Sequence, residues 1–370
     1  MITVALDGTP LLGRRTGIGR YTEHLLEALT AFDDLELITT AFTLRGAGGL
    51  ARAVPSGVAT RSLPVPARLL RAVWSRLELP SVRLFTGRVD VFHGTNFVLP
   101  PTGRAAGVVT IHDLAYLTMP EVVDAASLRL RELMPKCIAR ADVICTPSAA
   151  VADQVRQTYG PVLPEVVVTP LGVEQAWLEV EPPTAEMRSS FGLPDDYFLF
   201  VGTREPRKDL PTLLHAYALL RAESPRLAEV PELLLVGPSG WGPGQEPAEG
   251  VQVRDYLPTE QLRLVIAGAR ALVMPSRDEG FGLPALEGLA TGVPVIISNA
   301  PALVEVTGSM ASVFPIGDVP ALAAALAAAS GSPGAGSDSD ERRRRRNYAA
   351  GWTWRRCAEQ TVQAYRMAQR

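Results

Sequence analysis

Arg277-Asp278-Glu279-Gly280-Phe281-Gly282-Leu283-Pro284-Ala285-Leu286-Glu287 follows the apolar run ALVMPS and opens the helical pattern PALEGLATG. Pro284 suits a first helical position, and Gly292-Val293-Pro294 ends the helix. Gly280 and Gly282 let backbone N–H groups come close to a ligand, and the helix N-terminus adds the positive end of a dipole. Together they form a seat for phosphate. Glu287 lies about one turn further on, roughly 5 Å along the axis, where a carboxylate can grip ribose hydroxyls while phosphates sit at the helix end. Glu279, before the turn, would face a sugar beyond the phosphates. The competing reading is a glycine-rich turn with an ordinary N-capping acid.

Outward from this stretch, short Val/Ile-rich runs alternate with helical patterns: ITVAL, DVFHG, GVVTIHD, DVICTPS and EVVVTPLG in the first half, then DYFLFVGT, ELLLVGPSG, ALVMPS and VPVIIS. The runs are continuous rather than alternating, as in parallel sheets buried on both faces. This predicts an α/β chain of two doubly wound, Rossmann-like domains. The expected boundaries are 1–173 for the first domain, 174–196 for a Glu/Pro-rich linker, 197–350 for the second domain and 351–370 for a closing helix. Residues 330–346, SGSPGAGSDSDERRRRR, read as a flexible surface connection, with the five arginines on a solvated helix start rather than a nucleic-acid or lipid contact. In the closing helix, Trp354, Cys357, Ala358, Thr361, Val362 and Tyr365 form an apolar stripe that demands burial.

The chain has 370 residues, too many for one comfortable core. A net charge of −3 predicts no general attraction to nucleic acid. Three cysteines without a C-x-x-C favour neither a disulfide framework nor a zinc site. MITVALDGTP reads as a first strand rather than a signal peptide, and no run of 18 apolar residues occurs. The expected address is cytoplasmic, with contact at the inner membrane face left open. Only two of 36 basic residues are lysines, Lys136 and Lys208, so a lysine standing in a motif carries weight.

The E-G-F-G-L-P-x-L-E stretch followed by G-x-P-V resembles the E-x7-E motif of retaining glycosyltransferases of family 4, which have the GT-B fold of two Rossmann-like domains facing across a cleft. The resemblance extends to TGIGRYTEHLL (16–26), VTIHDL (109–114), VVVTPLGV (166–173), VGTREPRKDL (201–210) and GWTWRRCAEQTVQAYR (351–366). It implies an acceptor domain first, a nucleotide-sugar domain second, and a final helix crossing back to the first. Glu287 would bind the ribose hydroxyls and Glu279 the donor sugar. Main-chain N–H groups at Gly280, Phe281, Gly282 and Leu283 would support the diphosphate, and Lys208 would bind it beside an arginine. Many members place that arginine six residues before the lysine, where this chain has Gly202. Arg207 is preferred, because G-T-x-E-P-R-K pairs arginine directly with lysine; Arg204 is the other candidate. His112, at a strand end, would hydrogen-bond the donor sugar rather than a metal.

Gly17 and Gly19 do not fit G-x-G-x-x-G, but would let backbone approach a phosphate or sugar. Arg20 and His93 are acceptor-side candidates, each with a structural alternative; His24 and His215 read as structural. The helix PARLLRAVWSRL (66–77) carries Leu69, Leu70, Val73, Trp74 and Leu77 on one face, to be packed on its own sheet or laid on anionic lipid. No D-x-D follows a strand, so the expected enzyme uses no metal and no cofactor beyond a nucleotide-diphosphate sugar as co-substrate. The G-T-x-E-P-R-K and T-G-I-G-R-Y-T variants resemble mannosyltransferases of polysaccharide assembly, which implies GDP-mannose as the first choice of donor ahead of UDP- or dTDP-linked sugars, with a glycan, lipid-linked or small-molecule hydroxyl as the expected acceptor. The resemblance implies retention, by front-side attack. The competing functions are a sugar-nucleotide epimerase of the same fold and a catalytically silent sugar-nucleotide-binding partner protein.

Overall fold

A computed structural model describes residues 1–13, 15, 17–44, 46–161, 163–224, 229–241, 248–331 and 339–370. Within them the chain divides into two compact units. The first comprises 1–118, 125–172 and 353–370; the second comprises 119–124 and 173–352.

The first unit contains β1 (Ile2–Asp7), β2 (Leu35–Thr40), β3 (Ala59–Thr60), β4 (Val91–Gly94), β5 (Ala106–Thr110), β6 (Val143–Thr146) and β7 (Glu165–Val168). They form one parallel sheet in the order β3-β2-β1-β4-β5-β6-β7. The second contains β8 (Tyr197–Val201), β9 (Glu232–Val236), β10 (Val251–Arg254), β11 (Ala271–Met274), β12 (Val295–Ser298) and β13 (Ser312–Phe314), parallel in the order β10-β9-β8-β11-β12-β13. Every residue of β4, β6, β8, β11 and β12 is buried, which is why these runs are apolar without alternation. In each sheet the order reverses direction, between β1 and β4 and between β8 and β11. Loops leaving the carboxyl ends of such neighbours diverge and open a crevice for a ligand.

Residues 353–370 belong to the first unit although the chain reaches them from the second. Thr353 caps the helix Trp354–Ala368 by accepting from the Arg356 N–H. Trp354, Cys357, Ala358, Thr361, Val362 and Tyr365 are all buried, against the helix Gly17–Leu29 and against β5, β6 and β7. Trp354 stacks on His24 with ring centroids 5.0 Å apart. The three cysteines are buried and outside any disulfide.

Three expectations are corrected. Residues 174–196, expected as an interdomain linker, are part of the second unit: they carry the short helices Gln175–Glu179 and Ala185–Phe191, and Trp177 is fully buried. Residues 332–338 of the expected flexible connection lie outside the described residues, but a regular helix, Ser339–Ala350, begins seven residues before that connection was expected to end. The 66–77 stripe is only half covered. The helix spans Ala67–Trp74 and buries Leu70 and Trp74, whereas Leu69 and Leu77 stand 61% and 59% exposed. Trp74 donates to the Pro80 carbonyl and ends the inward face, so Leu77 falls beyond the helix.

Candidate active site

In the second unit, β8 ends at Val201 and leads to the turn Pro206–Lys208, after which Asp209 takes a left-handed backbone (φ 49°) and starts the helix Leu210–Glu223. β11 ends at Met274 and leads to the 277–282 loop and the helix Leu283–Thr291. These are the strands flanking the reversal. The two loops are tied together: the Arg277 N–H donates to the Arg207 carbonyl at 2.9 Å, and Arg207 Nη1 donates to the Asp278 carbonyl at 2.8 Å.

The charged groups converge on Glu279. Lys208 Nζ donates to its Oε1 at 2.6 Å, Arg207 Nη1 to its Oε2 at 3.3 Å, and Ser276 Oγ to Oε1 at 2.7 Å. Burial alone would raise the Glu279 pKa, but the charges of Lys208 and Arg207 and the hydrogen bonds from Lys208 and Ser276 outweigh it and hold the carboxyl below its ordinary range. Arg207 also pairs with Glu205 at 2.8 Å. The cluster is thus two cations, Arg207 and Lys208, against two carboxylates, Glu205 and Glu279. Arg204 points elsewhere: Nη1 donates to the Gly237 carbonyl at 2.7 Å and Nη2 to Ser239 Oγ at 2.5 Å, which fastens the turn after β9. Of the two candidate arginines, Arg207 is the one beside Lys208.

Gly282 has φ +93° and precedes the helix as its cap, and a Cβ there would collide with the Leu303 side chain, so glycine is required. Pro284 stands in the first turn and has no N–H. Among the described residues, no backbone carbonyl takes the N–H of Phe281 or Gly282. These donors, with the helix end, are what an anion needs. Phe281 is buried with its ring edge-on to Trp352, 5.6 Å between centroids, and Leu283 is buried beside it. Glu287 sits one turn along the same helix and is only 1% exposed, the most enclosed acid of the group.

In the first unit, His112 follows β5 and is buried. Its Nε2 lies 2.8 Å from the Thr95 carbonyl, which can only accept, so Nε2 carries a hydrogen. Burial pulls its pKa down, with the Thr95 bond and Asp113 opposing, so the neutral ring leaves Nδ1 as an acceptor. Tyr21 and Phe97 hold the ring edge-on, at 4.9 and 5.4 Å. Phe97 keeps a left-handed backbone (φ 61°) to do so, an unfavourable conformation for an aromatic residue. Asp113 accepts from the Ala115 N–H and starts the next short helix.

His93 is a correction. It is fully buried, its Nδ1 lies 2.8 Å from the Tyr365 hydroxyl and its Nε2 lies 2.7 Å from Thr110 Oγ1, so both nitrogens are occupied and neither is offered to an acceptor. It fastens β4 to the helix Trp354–Ala368. Gly17 begins the helix Gly17–Leu29 with open space over its Cα, while Gly19 is the glycine in close contact, against the Pro10 carbonyl. Arg20 is half-buried on that helix. Sequence reasoning did not single out Glu205, Ser276 or Phe97. Glu205 and Ser276 stand inside the quoted motifs, whereas nothing local marks Phe97.

Among the described residues, no group of three His, Cys, Asp or Glu side chains is placed to hold a metal ion. No helix among them is long and apolar enough to cross a membrane.

Two parallel Rossmann-like sheets, each with a reversal of strand order, define an α/β protein of the GT-B type. The family comparisons agree. Residues 16–172 match the glycosyl transferase 4-like domain, and residues 195–330 match glycosyl transferases group 1. The chain belongs to this glycosyltransferase family. It is 28% identical over 374 residues to the O-antigen chain mannosyltransferase B of Escherichia coli, covering 95% of this chain and 96% of that protein. It is 30% identical over 203 residues to the MMP alpha-(1->4)-mannosyltransferase of Mycolicibacterium hassiacum, covering 52% of this chain and 46% of that protein. Among solved structures, the sucrose-phosphate synthase of Thermosynechococcus elongatus shares the fold at TM-score 0.69 and 20% identity, covering 99% and 98% of the two chains. Anabaena HepE in complex with UDP and glucose does so at TM-score 0.66 and 14% identity, covering 98% of each.

Proposed function

We propose that the chain moves a hexose from a nucleotide-diphosphate sugar to a hydroxyl acceptor, with retention of configuration and without a metal. The convergence of Lys208 and Arg207 on Glu279 beside the Gly282 helix end carries this reading. A diphosphate leaving group gains negative charge as its bond to the sugar breaks, and fixed cations with oriented N–H groups stabilise that charge. Lys208, Arg207 and the Phe281, Gly282 and Leu283 N–H groups serve the diphosphate, Glu287 the ribose, and Glu279 the sugar. His112 Nδ1 accepts from a sugar hydroxyl. In the step itself the acceptor oxygen bonds to C1, the C1–phosphate bond breaks on the same face, and the acceptor proton passes to the departing phosphate oxygen. The products are the glycoside and a nucleoside diphosphate.

Mannose is the proposed sugar and GDP the proposed carrier. The mannosyltransferase relatives support the sugar. The acceptor is a growing glycan, with a lipid-linked or small-molecule hydroxyl as the alternatives. The proposed location is the cytoplasm; the exposed Leu69 and Leu77 beside Arg68, Arg71 and Arg76 support contact with an anionic membrane face. A panel of GDP-, UDP- and dTDP-sugars tests the reading, with the anomeric configuration of the product read by NMR. Transfer from GDP-mannose giving an α-mannoside supports it. An inverted product, or transfer only when a divalent metal is added, refutes the corresponding part.

A further inference from the structure

The run Glu341–Arg346, ERRRRR, is not a solvated charge face. The helix Ser339–Ala350 sorts its arginines by spacing: Arg343 and Arg344 are 67% and 64% exposed, while Arg342, Arg345 and Arg346, at i, i+3 and i+4, turn inward at 16%, 18% and 21%. The inward three meet the carboxyl ends of two helices. Arg345 Nη1 donates to the Gly292 carbonyl at 3.1 Å, and Arg342 packs so closely on Gly292 (φ +81°) that a Cβ there would collide with it. Arg346 and Arg342 both donate to the Val180 carbonyl, just past the helix Gln175–Glu179. Cations at these ends are favoured by the helix dipole.

This capping leaves charge over. Beside it lies a cavity of about 510 Å³ lined by Leu178, Glu181, Arg342, Arg343, Arg346 and Asn347. Two of the three arginines there share one carboxylate, Glu181, which bridges Arg342 at 3.3 Å and Arg346 at 3.2 Å and is itself 69% exposed. Among the described residues, Arg342 commits only Nη2 to protein partners, and Arg343 has only the exposed Asp340. Burial, and next the neighbouring Arg346 charge, lower the Arg342 pKa against the pull of Glu181, as expected where positive charge is not fully balanced.

We propose that this cavity binds the dianionic phosphate group of a small metabolite, with Arg342 and Arg343 on the phosphate oxygens and Asn347 beside them. With Glu181 displaced, Arg342, Arg343 and Arg346 stand against Asp340 alone, a net charge of about +2 that matches a phosphate monoester, which carries roughly −1.5 to −2 near neutral pH. Guanidinium forks suit its oxygens geometrically. The volume suits a ligand of sugar-phosphate size. Glu181 is the counter-ion the ligand displaces. This site is separate from the phosphate seat: the helix Leu283–Thr291 has the seat at its amino end and Gly292, with Arg342 and Arg345 upon it, at its carboxyl end.

Calorimetric titration of the full chain with inorganic phosphate and with glucose 6-phosphate tests the proposal, and the tighter of the two probes distinguishes free phosphate from a phosphorylated sugar. One saturable site is expected, with the same affinity in Lys208→Ala, which disables the seat. Arg343→Glu should weaken binding by about tenfold or more, while Arg344→Glu, the same charge change on the solvent face, should leave it within about twofold. Both positions are exposed, and matched melting temperatures would show that the fold is intact. Absence of saturable binding by either probe, equal losses in Arg343→Glu and Arg344→Glu, or loss in Lys208→Ala would each overturn it.

Discussion

Lys208 Nζ and Glu279 Oε1 are 2.6 Å apart, with side chains 11% and 6% exposed. The cation proposed to meet a diphosphate is therefore already neutralised by the carboxylate proposed to meet the sugar. An incoming donor must satisfy both at once, which disfavours a bare anion relative to a sugar-bearing one.

Lys208→Ala should lower turnover by about 10²–10³, the cost of one lost donor to a developing anion. Stability should change less, because Glu279 keeps Arg207 and Ser276 as partners. Steady-state rates and a thermal melt on the same preparation check this. Turnover held within about threefold would remove Lys208 from the chemistry.

Glu287→Ala should weaken nucleoside diphosphate binding by about 1.5–3 kcal/mol for each charged hydrogen bond lost. The position of Glu287, one turn beyond the Gly282 cap, motivates this. Calorimetry with GDP reads it directly. An unchanged affinity would end the ribose assignment.

Acid should loosen the first unit through His93. Burial, and then the charge that neighbouring His112 takes on in acid, lower the His93 pKa to about 3, while an unfolded histidine titrates near 6.5. Between those values the unfolded chain binds a proton that the folded chain refuses. Stability from this group is complete above pH 6.5 and falls as pH drops toward 3, by up to about 1.4 kcal/mol per unit. Denaturant melts of wild type and His93→Gln across pH 4–7 should differ in slope by approaching one proton. Parallel slopes would contradict the buried neutral ring.

Activity should survive EDTA. In the proposed function Arg207 and Lys208, which meet at Glu279, supply the positive charge that a metal would otherwise bring to the diphosphate. Loss of activity on chelation, restored by magnesium or manganese, would refute the metal-free proposal.

The helix start at Leu283 was readable because its signals are local: Gly282, with φ +93°, and Pro284 in the first turn each meet a backbone requirement. The parallel sheets were readable because strands buried on both faces must be apolar throughout. His93 was misread because its partner Tyr365 is 272 residues away, and no window on the sequence holds both. The arginine run was misread for a related reason. Its acceptors are the backbone carbonyls of Gly292 and Val180, which exist as acceptors in any sequence. In the 66–77 helix, periodicity marked an apolar face but said nothing of what covers it, and Leu69 and Leu77 were left uncovered.

The helix Trp354–Ala368 has a consequence for synthesis. The first sheet is built from residues 2–168, yet β5, β6 and β7 pack against a helix that leaves the ribosome some two hundred residues later. Until residues 353–370 have emerged, His93 lacks the Tyr365 hydroxyl, His24 lacks the Trp354 ring, and the apolar ground of that helix lies open. Domains usually complete in order from the amino end as they are made. Here the order is inverted: the second unit, 173–352, is complete in sequence first, and the first must wait, exposed, for the tail that closes it. Shortening the chain by its closing helix should therefore cripple the folding of the half that was translated first.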